Sequence, residues 1–563
     1  MISGFGRGPT AESGSRCPMR LQAPEPGDFA AAADTLTALM SEHRSVLKST
    51  SMISTLTIVS RIFGYVRDSR INYLLGTGPL ADAYTIAFRI PNTLRRLVGE
   101  GAVSAAFIPV FSEYLKEGRR EEAWKFVHAL VSAAIILVSI VTILGIVFSP
   151  TIVGLFASKE FVGNSEKIRA TVALNRIMFP YIAFVSLSAL SMGILNSFNR
   201  FAASAFAPVL LNLSIIAFSF CSGFFANPAM ALAVGVVIGG VLQIGIQIPS
   251  LVRNGWRFRW LWNLAHPGVR RVAKLLGPRL FGIGIVQVDV LVGMRFATAM
   301  VEGSAAAIST ADRVMELVLG GYAIALSTAI LPLLARQSIE NRIGEMKNTI
   351  SFSLRLVLFI TLPATVGLIL LRVPIIEVLF QHGKFDSSST ALTAWPLLFF
   401  AIGLSAFSMM KIIVQAFYAL HDTWTPVLVA VSSLMLNIVL NFLFFHPLQN
   451  GGPALATSLA AFFDTILLLI IFRRRHGRLG LGAVRTSCIK FAVASAVMAV
   501  IVYFTIHYPG VYAGAKLHRA LALGATIAVA AGAYFGMARL LHVDELREIG
   551  SVFAGRSARH SDY

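Results

Sequence analysis

The sequence predicts an all-α integral membrane protein of about fourteen spanning helices, two six-helix lobes with two further helices appended. Three observations predict it. The 563 residues are 56% hydrophobic and only 13% charged, and a mean hydropathy of +0.72 is far above the range of soluble domains. Charge-poor runs of about 20 residues, the length that crosses a bilayer, recur along the whole chain. The first half of the chain also resembles the second.

The predicted helices fall in order. The stretch 50–74 is apolar apart from Arg61, Arg67, Asp68 and Arg70, and 83–112 carries Arg89, Arg95, Arg96 and Glu100. The stretches 126–148, 171–198, 204–225 and 229–251 are greasier and complete a first lobe, 46–251. An Arg- and aromatic-rich amphipathic linker, 252–271, leads to the second lobe, 272–473, whose stretches are 272–300, 305–335, 350–379, 388–420, 424–446 and 452–472. Two more, 484–507 and 518–541, lie within 474–541 and carry little charge. Residues 1–45 are rich in Gly, Pro, Ala and Ser and read as a disordered extension, or as an upstream start with Met40 the beginning; 542–563 reads as a polar tail.

Placement explains the net charge of +20 better than a nucleic-acid partner does, since no nucleic-acid motif accompanies it. Basic residues crowd alternate loops: Lys116, Arg119, Arg120 and Lys125; Arg253, Arg257, Arg259, Arg270 and Arg271; Arg473, Arg474, Arg475 and Arg478. The loops 75–82, 226–230, 301–304 and 446–452 contain none. The positive-inside rule therefore puts the basic loops and both termini in the cytoplasm. Lys159, Lys167, Arg169, Lys516 and Arg519 run against the trend. Cys17, Cys221 and Cys488 are scattered and read as inert apolar fillers.

The internal repeat aligns Ile194–Leu210 with Ile413–Leu428, both ending at Pro-Val-Leu. It also aligns Ala231-Leu232-Ala233 after Asn227 with Ala454-Leu455-Ala456 after Asn450. An even number of helices per unit gives two lobes of the same orientation, with a cleft between them that suits alternating access. Gly64, Pro91, Gly99, Gly320-Gly321 and Pro363 weaken the helical ladder where bending would help, or permit close packing.

An Arg or Asp at the centre of a membrane helix costs roughly 2.5–3.5 kcal/mol, so the charged clusters must face a polar cavity. Arg61 and Asp68 share one helix face. Arg89, Arg96 and Glu100 form one stripe, and Arg95 points about 100° away, so by helical geometry Arg95 and Arg96 do not line the same surface. Asp312, Arg313 and Glu316 form a third cluster. Arginine binds a diphosphate well because its planar fork bonds two oxygens and its charge survives burial.

Ser60–Asp68 (SRIFGYVRD), Ala81–Phe88 (ADAYTIAF), Pro91–Arg96 followed by Glu100-Gly101-Ala102, Ala106–Pro109 (AFIP), Leu379–Phe385 (LFQHGKF) and Phe417–Pro426 (FYALHDTWTP) resemble the MurJ/MviN lipid II flippases of the MOP exporter superfamily, over about residues 46–541. The resemblance implies two lobes in a V and movement of an undecaprenyl-diphosphate-linked disaccharide-peptide across the bacterial inner membrane, away from the cytoplasm. It implies substrate binding by Arg61, Arg67, Asp68, Arg95 and Arg313, with Asp82, Glu100 and Glu316 as functional acids, and a groove for the lipid tail on the last two helices. Lipid II and membrane phospholipids are the implied partners of a monomer that associates with cell-wall synthesis machinery. Asp289, Asn437, Asn441 and Thr457 offer a carboxylate with neutral oxygens, the makings of a sodium site. Some relatives carry a further acid where Asn441 stands, and plain interhelical hydrogen bonding is the alternative. No nucleophile motif, metal-spaced His set or phosphate loop points to an enzyme. The competing readings are a polysaccharide-lipid flippase or a cation-coupled drug antiporter of the same superfamily, and a non-transporting scaffold of wall synthesis.

Overall fold

The computed structural model describes Met52 and residues 55–553, apart from 100, 101, 264, 509 and 513; the side chains of 97–105, 278–283, 285, 286 and 549–553 lie outside that description. The predicted extension 1–45 and the end of the tail lie outside it too, and so does Glu100. Residues from Leu56 onward form one compact unit.

Every described element is helical. In the first half these are α1 (55–75), α2 (Pro79–Gly99), α3 (Ala102–Lys116), α4 (Arg120–Val147), α5 (Ser149–Phe156), α6 (Lys159–Gly163), α7 (Ser165–Met178), α8 (Tyr181–Ser197), α9 (Ala202–Phe220), α10 (Pro228–Gly245) and α11 (Ile248–Arg253). In the second half they are α12 (Pro267–Thr298), α13 (Ser304–Ile339), α14 (Ile343–Phe380), α15 (Ser387–Ala419), α16 (Trp424–Leu448), α17 (Gly452–His476), α18 (Leu481–His507), α19 (Lys516–Leu540) and α20 (Asp544–Phe553). Ten stretches among the described residues are long and apolar enough to span a membrane. The charges of α1 and α2 keep both out of that set.

Helix starts follow local chemistry. Asn227 accepts from the Met230 N–H at 3.0 Å and Pro228 opens α10, while Asp386 accepts from Ser389 N–H at 2.8 Å to start α15. Each frees the helix of an orphan donor. The repeat is visible in packing: α9 lies against α10 as α16 lies against α17. Ser214 Oγ donates to Gly235 O at 2.8 Å in the first pair, and Ser433 Oγ to Ala460 O at 3.1 Å in the second.

The second half has one large core running through α13, α14, α15 and α17 to α18 and α19, with Phe359, Phe417, Phe472 and Phe491 at its centre. The first half is divided among three smaller cores. Helix α12 joins them: Val272 packs with Phe107 and Phe126, Met294 and Ala297 with Ile86 and Phe179, and Phe296 meets Phe442 of α16 edge to face at 5.0 Å. In the 252–271 linker Trp256 and Leu261 turn to the core, while Phe258, Trp260 and Trp262 are exposed.

The tail is not wholly a polar appendage. Residues Asp544–Phe553 form α20, and the Glu545 side chain, 2% exposed, takes an ion pair from Arg355 of α14 at 2.7 Å and a hydrogen bond from Ser487 of α18 at 3.0 Å. A buried acid with two long-range partners docks this helix.

Candidate functional site

The charged faces of α1, α2 and α13 meet in a polar cavity. On α1 the Arg67 guanidinium bonds Asp68 Oδ1 through Nε (2.9 Å) and Nη2 (2.6 Å), while Nη1 donates to Asn212 Oδ1 of α9 at 2.9 Å. Asn212 in turn donates to Ser60 O at 3.1 Å, so both ends of the arginine's contacts are pinned. On α2, Arg95 Nε donates to Asn92 Oδ1 at 2.8 Å. On α13, Arg313 Nη1 pairs with Glu316 at 3.0 Å and lies within electrostatic reach of Asp68 and Asp312. The Arg61 guanidinium crosses from α1 to lie over Gly320, where a Cβ would stand 2.5 Å from its Nη1. Gly320 is thus a seat for an arginine inside an unbroken helix rather than a bend in it.

The narrow part of the cavity, about 70 Å³, lies among Arg67, Asp68, Asn72, Arg89, Thr310 and Arg313. It shares Arg67, Phe88, Asn92 and Arg313 with a wider part of about 360 Å³ toward α8, α9 and α10. Arg95 and Arg96 both line the wider part, which corrects the expectation that they could not. The helical wheel treats a side chain as a short spoke, whereas an arginine reaches far enough to bend round its helix into a wide cavity. Arg95 has a local partner in Asn92, three residues earlier on the same helix. Among the described residues, Arg61, Arg67, Arg89, Arg95, Arg96 and Arg313 stand against Asp68, Asp312 and Glu316.

Asp82 lies elsewhere, at the end of the molecule where α1 turns into α2. Its carboxylate accepts from the Gly303 N–H at 2.7 Å and the Ala306 N–H at 3.0 Å, capping α13 from the opposite lobe. The same end is closed by Lys384 N–H to Tyr73 O (2.9 Å), Thr77 Oγ1 to Ser389 Oγ (2.8 Å), Thr310 Oγ1 to Asn72 Oδ1 (3.3 Å) and Lys167 with Glu302 (2.9 Å). Close backbone approach explains two glycines. At Gly303 (φ +85°) a Cβ would strike the Thr77 carbonyl, and at Gly76 (φ +61°) it would stand 2.4 Å from Lys384 O. His382 bridges Ser69 Oγ (3.0 Å, through Nε2) and Lys516 Nζ (3.1 Å, through Nδ1). Burial, then the neighbouring charges of Lys516 and Arg70, holds its pKa below the ordinary imidazole value.

A sequence model of the family described as "Lipid II flippase MurJ" matches residues 71–519. The probable lipid II flippase MurJ of Vibrio cholerae is 35% identical over 432 residues, 76% of this chain and 82% of the relative. That of Bdellovibrio bacteriovorus is 33% identical over 513 residues, covering 91% and 98%. The chain belongs to the MurJ family. A solved structure, "Lipid II flippase MurJ, inward closed conformation", superposes with a TM-score of 0.72 at 27% identity over 87% of this chain and 99% of that one. An inward-facing multidrug MATE transporter of the MOP superfamily gives 0.61 at 14% identity, over 75% and 95%, which shows the shared fold alone. Both describe a MOP-type membrane fold for this member of the MurJ family.

The second candidate site sits on α12, α16 and α17. Asn437 Nδ2 donates to Thr457 Oγ1 at 3.4 Å and Asn441 donates to Asn437 Oδ1, so three of the four residues are bonded among themselves. Asn441 Oδ1, in a residue 1% exposed, has no partner in the protein. Asp289 lies on α12 within electrostatic reach of Asp464 on α17, whose Oδ1 is also buried without a partner. Asn441 Oδ1 and Asp464 Oδ1 are thus two acceptor oxygens of the kind a monovalent cation takes, on neighbouring helices. Asp464 and Lys411 escaped the sequence reading. Lys411, on α15 within reach of Glu316, adds a cation beside the cavity. Both were detectable as lone charges in apolar stretches.

Proposed function

We propose that this chain moves lipid II from the cytoplasmic to the outer leaflet of the bacterial inner membrane by alternating access. The observation that carries the proposal is the cavity between α1, α2 and α13 lined by Arg67, Arg89, Arg95, Arg96 and Arg313, with Asp68 the one lining carboxylate among the described residues. That excess suits a diphosphate. Arg67, locked by Asp68 and Asn212, and Arg313, steadied by Glu316, present guanidinium forks from different lobes. A diphosphate held between them would neutralise the repulsion of the opposed arginines.

The orientation follows from the loops. The basic residues after α3, around α11 and at the end of α17 lie at the helix ends opposite the Asp82 contact, so the closed end faces the periplasm and both termini the cytoplasm. Fourteen spans are counted as α1, α2 with α3, α4, α7 with α8, α9, α10 and the eight helices α12 to α19. They divide into lobes at 46–251 and 272–473, set in a V, with α18 and α19 supplying an apolar groove for the polyprenyl tail. A sodium ion would be held by Asp289, Asn437, Asn441 and Thr457, supplying positive charge to the half-buried Asp289 and Asp464 pair. We take the chain to act as a monomer alongside the wall-synthesis machinery, and not as an enzyme.

The test is a sidedness assay of lipid II in cells depleted of this protein and complemented by variants. Outer-leaflet lipid II should fall on depletion and return with the wild type but not with Arg61→Ala. Unchanged outer-leaflet lipid II on depletion would refute the proposal.

A further inference from the structure

The wider part of the cavity is lined by more than its arginines. Its far wall is neutral and hydrogen-bonding, with Gln243 and Gln247 of the α10 segment and Ser188 of α8, beside the apolar surfaces of Val185, Met192 and Leu211. The Gln247 amide is fixed: its Nε2 donates to Ser188 Oγ at 2.6 Å and to Gln243 O at 3.0 Å. Both amide hydrogens are therefore spent, which sets the orientation of the group and leaves Oε1 as the free atom. That oxygen, in a residue 1% exposed, has no partner in the protein. The same holds for Gln243 Oε1, in a residue 6% exposed. Two unpartnered acceptors in side chains that line a cavity of about 360 Å³, within the range of small-ligand sites, call for a ligand rich in donors.

We propose that this pocket binds the N-acetylated sugar joined to the diphosphate. The oxygens of Gln243 and Gln247 would accept from its hydroxyl and acetamido N–H groups, while Val185, Met192 and Leu211 would cover its apolar face. The inference rests on the lipid II reading above and adds a subsite to it. Three features select the sugar over the peptide. The pocket shares Arg67, Arg95, Arg96 and Arg313 with the proposed diphosphate site, and the sugar is the unit bonded directly to the diphosphate. No carboxylate lines the pocket among the described residues to receive a peptide ammonium. Peptide carboxylates would be drawn to the arginines rather than to acceptor oxygens. Ser188 is a positioning residue, acting through the Gln247 amide.

Binding of two probes to the purified full-length protein, lipid II and sugar-free undecaprenyl diphosphate, tests the proposal by native mass spectrometry. Gln247→Met and Gln243→Met keep the side-chain shape while removing the acceptor. Each should weaken lipid II binding about tenfold, the cost of leaving a ligand donor unpaired, and leave undecaprenyl diphosphate binding within about twofold. Ser188→Ala should give a smaller loss of the same selectivity. Unchanged lipid II binding in both glutamine variants, or equal weakening of both probes, would overturn the proposal. If one glutamine variant fails to fold, the other decides it. Wild-type protein that binds the two probes equally would overturn this subsite alone. Wild-type protein that binds neither would overturn the lipid II reading itself.

Discussion

Replacing Asp82 with alanine should unlock the closed end of the transporter. The Asp82 carboxylate holds two backbone N–H groups at the start of α13, Gly303 at 2.7 Å and Ala306 at 3.0 Å, and its negative charge sits at the positive end of that helix dipole. Hydrogen bonds to a charged group contribute about 1.5–3 kcal/mol each, and an exposed helix end can recover part of that from water. The net loss is then about 2–4 kcal/mol, a shift of roughly 30- to 1,000-fold between closed and open at this end. Asp82→Asn keeps an acceptor oxygen but not the charge, so it should shift the equilibrium by less. The assay is thiol cross-linking of Thr77→Cys with Ser389→Cys, whose native hydroxyls are 2.8 Å apart across the closure. High cross-linking yield is expected with Asp82, intermediate yield with Asn, and low yield with Ala, at equal membrane abundance. Equal yields in all three would refute the assignment of Asp82 as the latch.

Arg313→Ala should abolish outer-leaflet delivery of lipid II with insertion intact, and Arg313→Lys should restore it in part, because a point charge replaces a two-pronged donor; full activity of the alanine variant would remove Arg313 from the site. The same cross-link should respond to pH through His382. Its lowered pKa means that the closed form disfavours the imidazolium, so the bridge is fully present above about pH 6.5 and is lost as pH falls through the lowered value. The cross-linking yield should therefore drop on acidification, and His382→Gln should flatten the profile. Glu545→Ala removes the ion pair from the half-buried Arg355 and should lower the thermal stability measurably, by about 1.5–3 kcal/mol, the worth of a hydrogen bond to a charged group; an unchanged melting temperature would refute the docking role of Glu545. Dissipating the membrane potential should halt flipping, and Asp289→Asn should slow it less than Arg61→Ala; flipping that persists without potential but requires sodium and Asp289 would reverse that order.

The cavity was legible in the sequence because charge inside an apolar helix has one economical explanation, and Arg61, Arg67, Arg89 and Arg313 each announce it. What stayed hidden depended on partners far along the chain. The acid at Asp82 is visible in the sequence, but its two donors are backbone groups more than 200 residues away, and no side-chain pattern records a backbone N–H. Glu545 looked like one acid in a polar tail until Arg355, 190 residues distant, gave it a reason to be buried. Three of the five basic residues that broke the loop pattern have acidic or polar partners at the closed end: Lys167 pairs with Glu302, Arg519 with Glu377, and Lys516 meets His382. These three report pairing with distant residues rather than topology.

The closed end and the charged cavity bear on one another. Among the described residues five arginines and one carboxylate line the cavity, which gives it a net positive charge, and an inside-negative potential acts on such a charge with about 2.3 kcal/mol per unit per 100 mV to the extent that it moves through the field. On the orientation proposed above, the empty carrier is therefore drawn toward the state shut at the Asp82 end, and that end is closed in this structure. A bound diphosphate offsets most of that positive charge, so the loaded carrier feels much less of the inward pull. Loading removes an electrical bias of a few kcal/mol, the same order as the 2–4 kcal/mol held in the Asp82 cap. Cargo charge alone can thus decide whether the latch opens, and a transporter built this way opens outward when loaded and returns when empty.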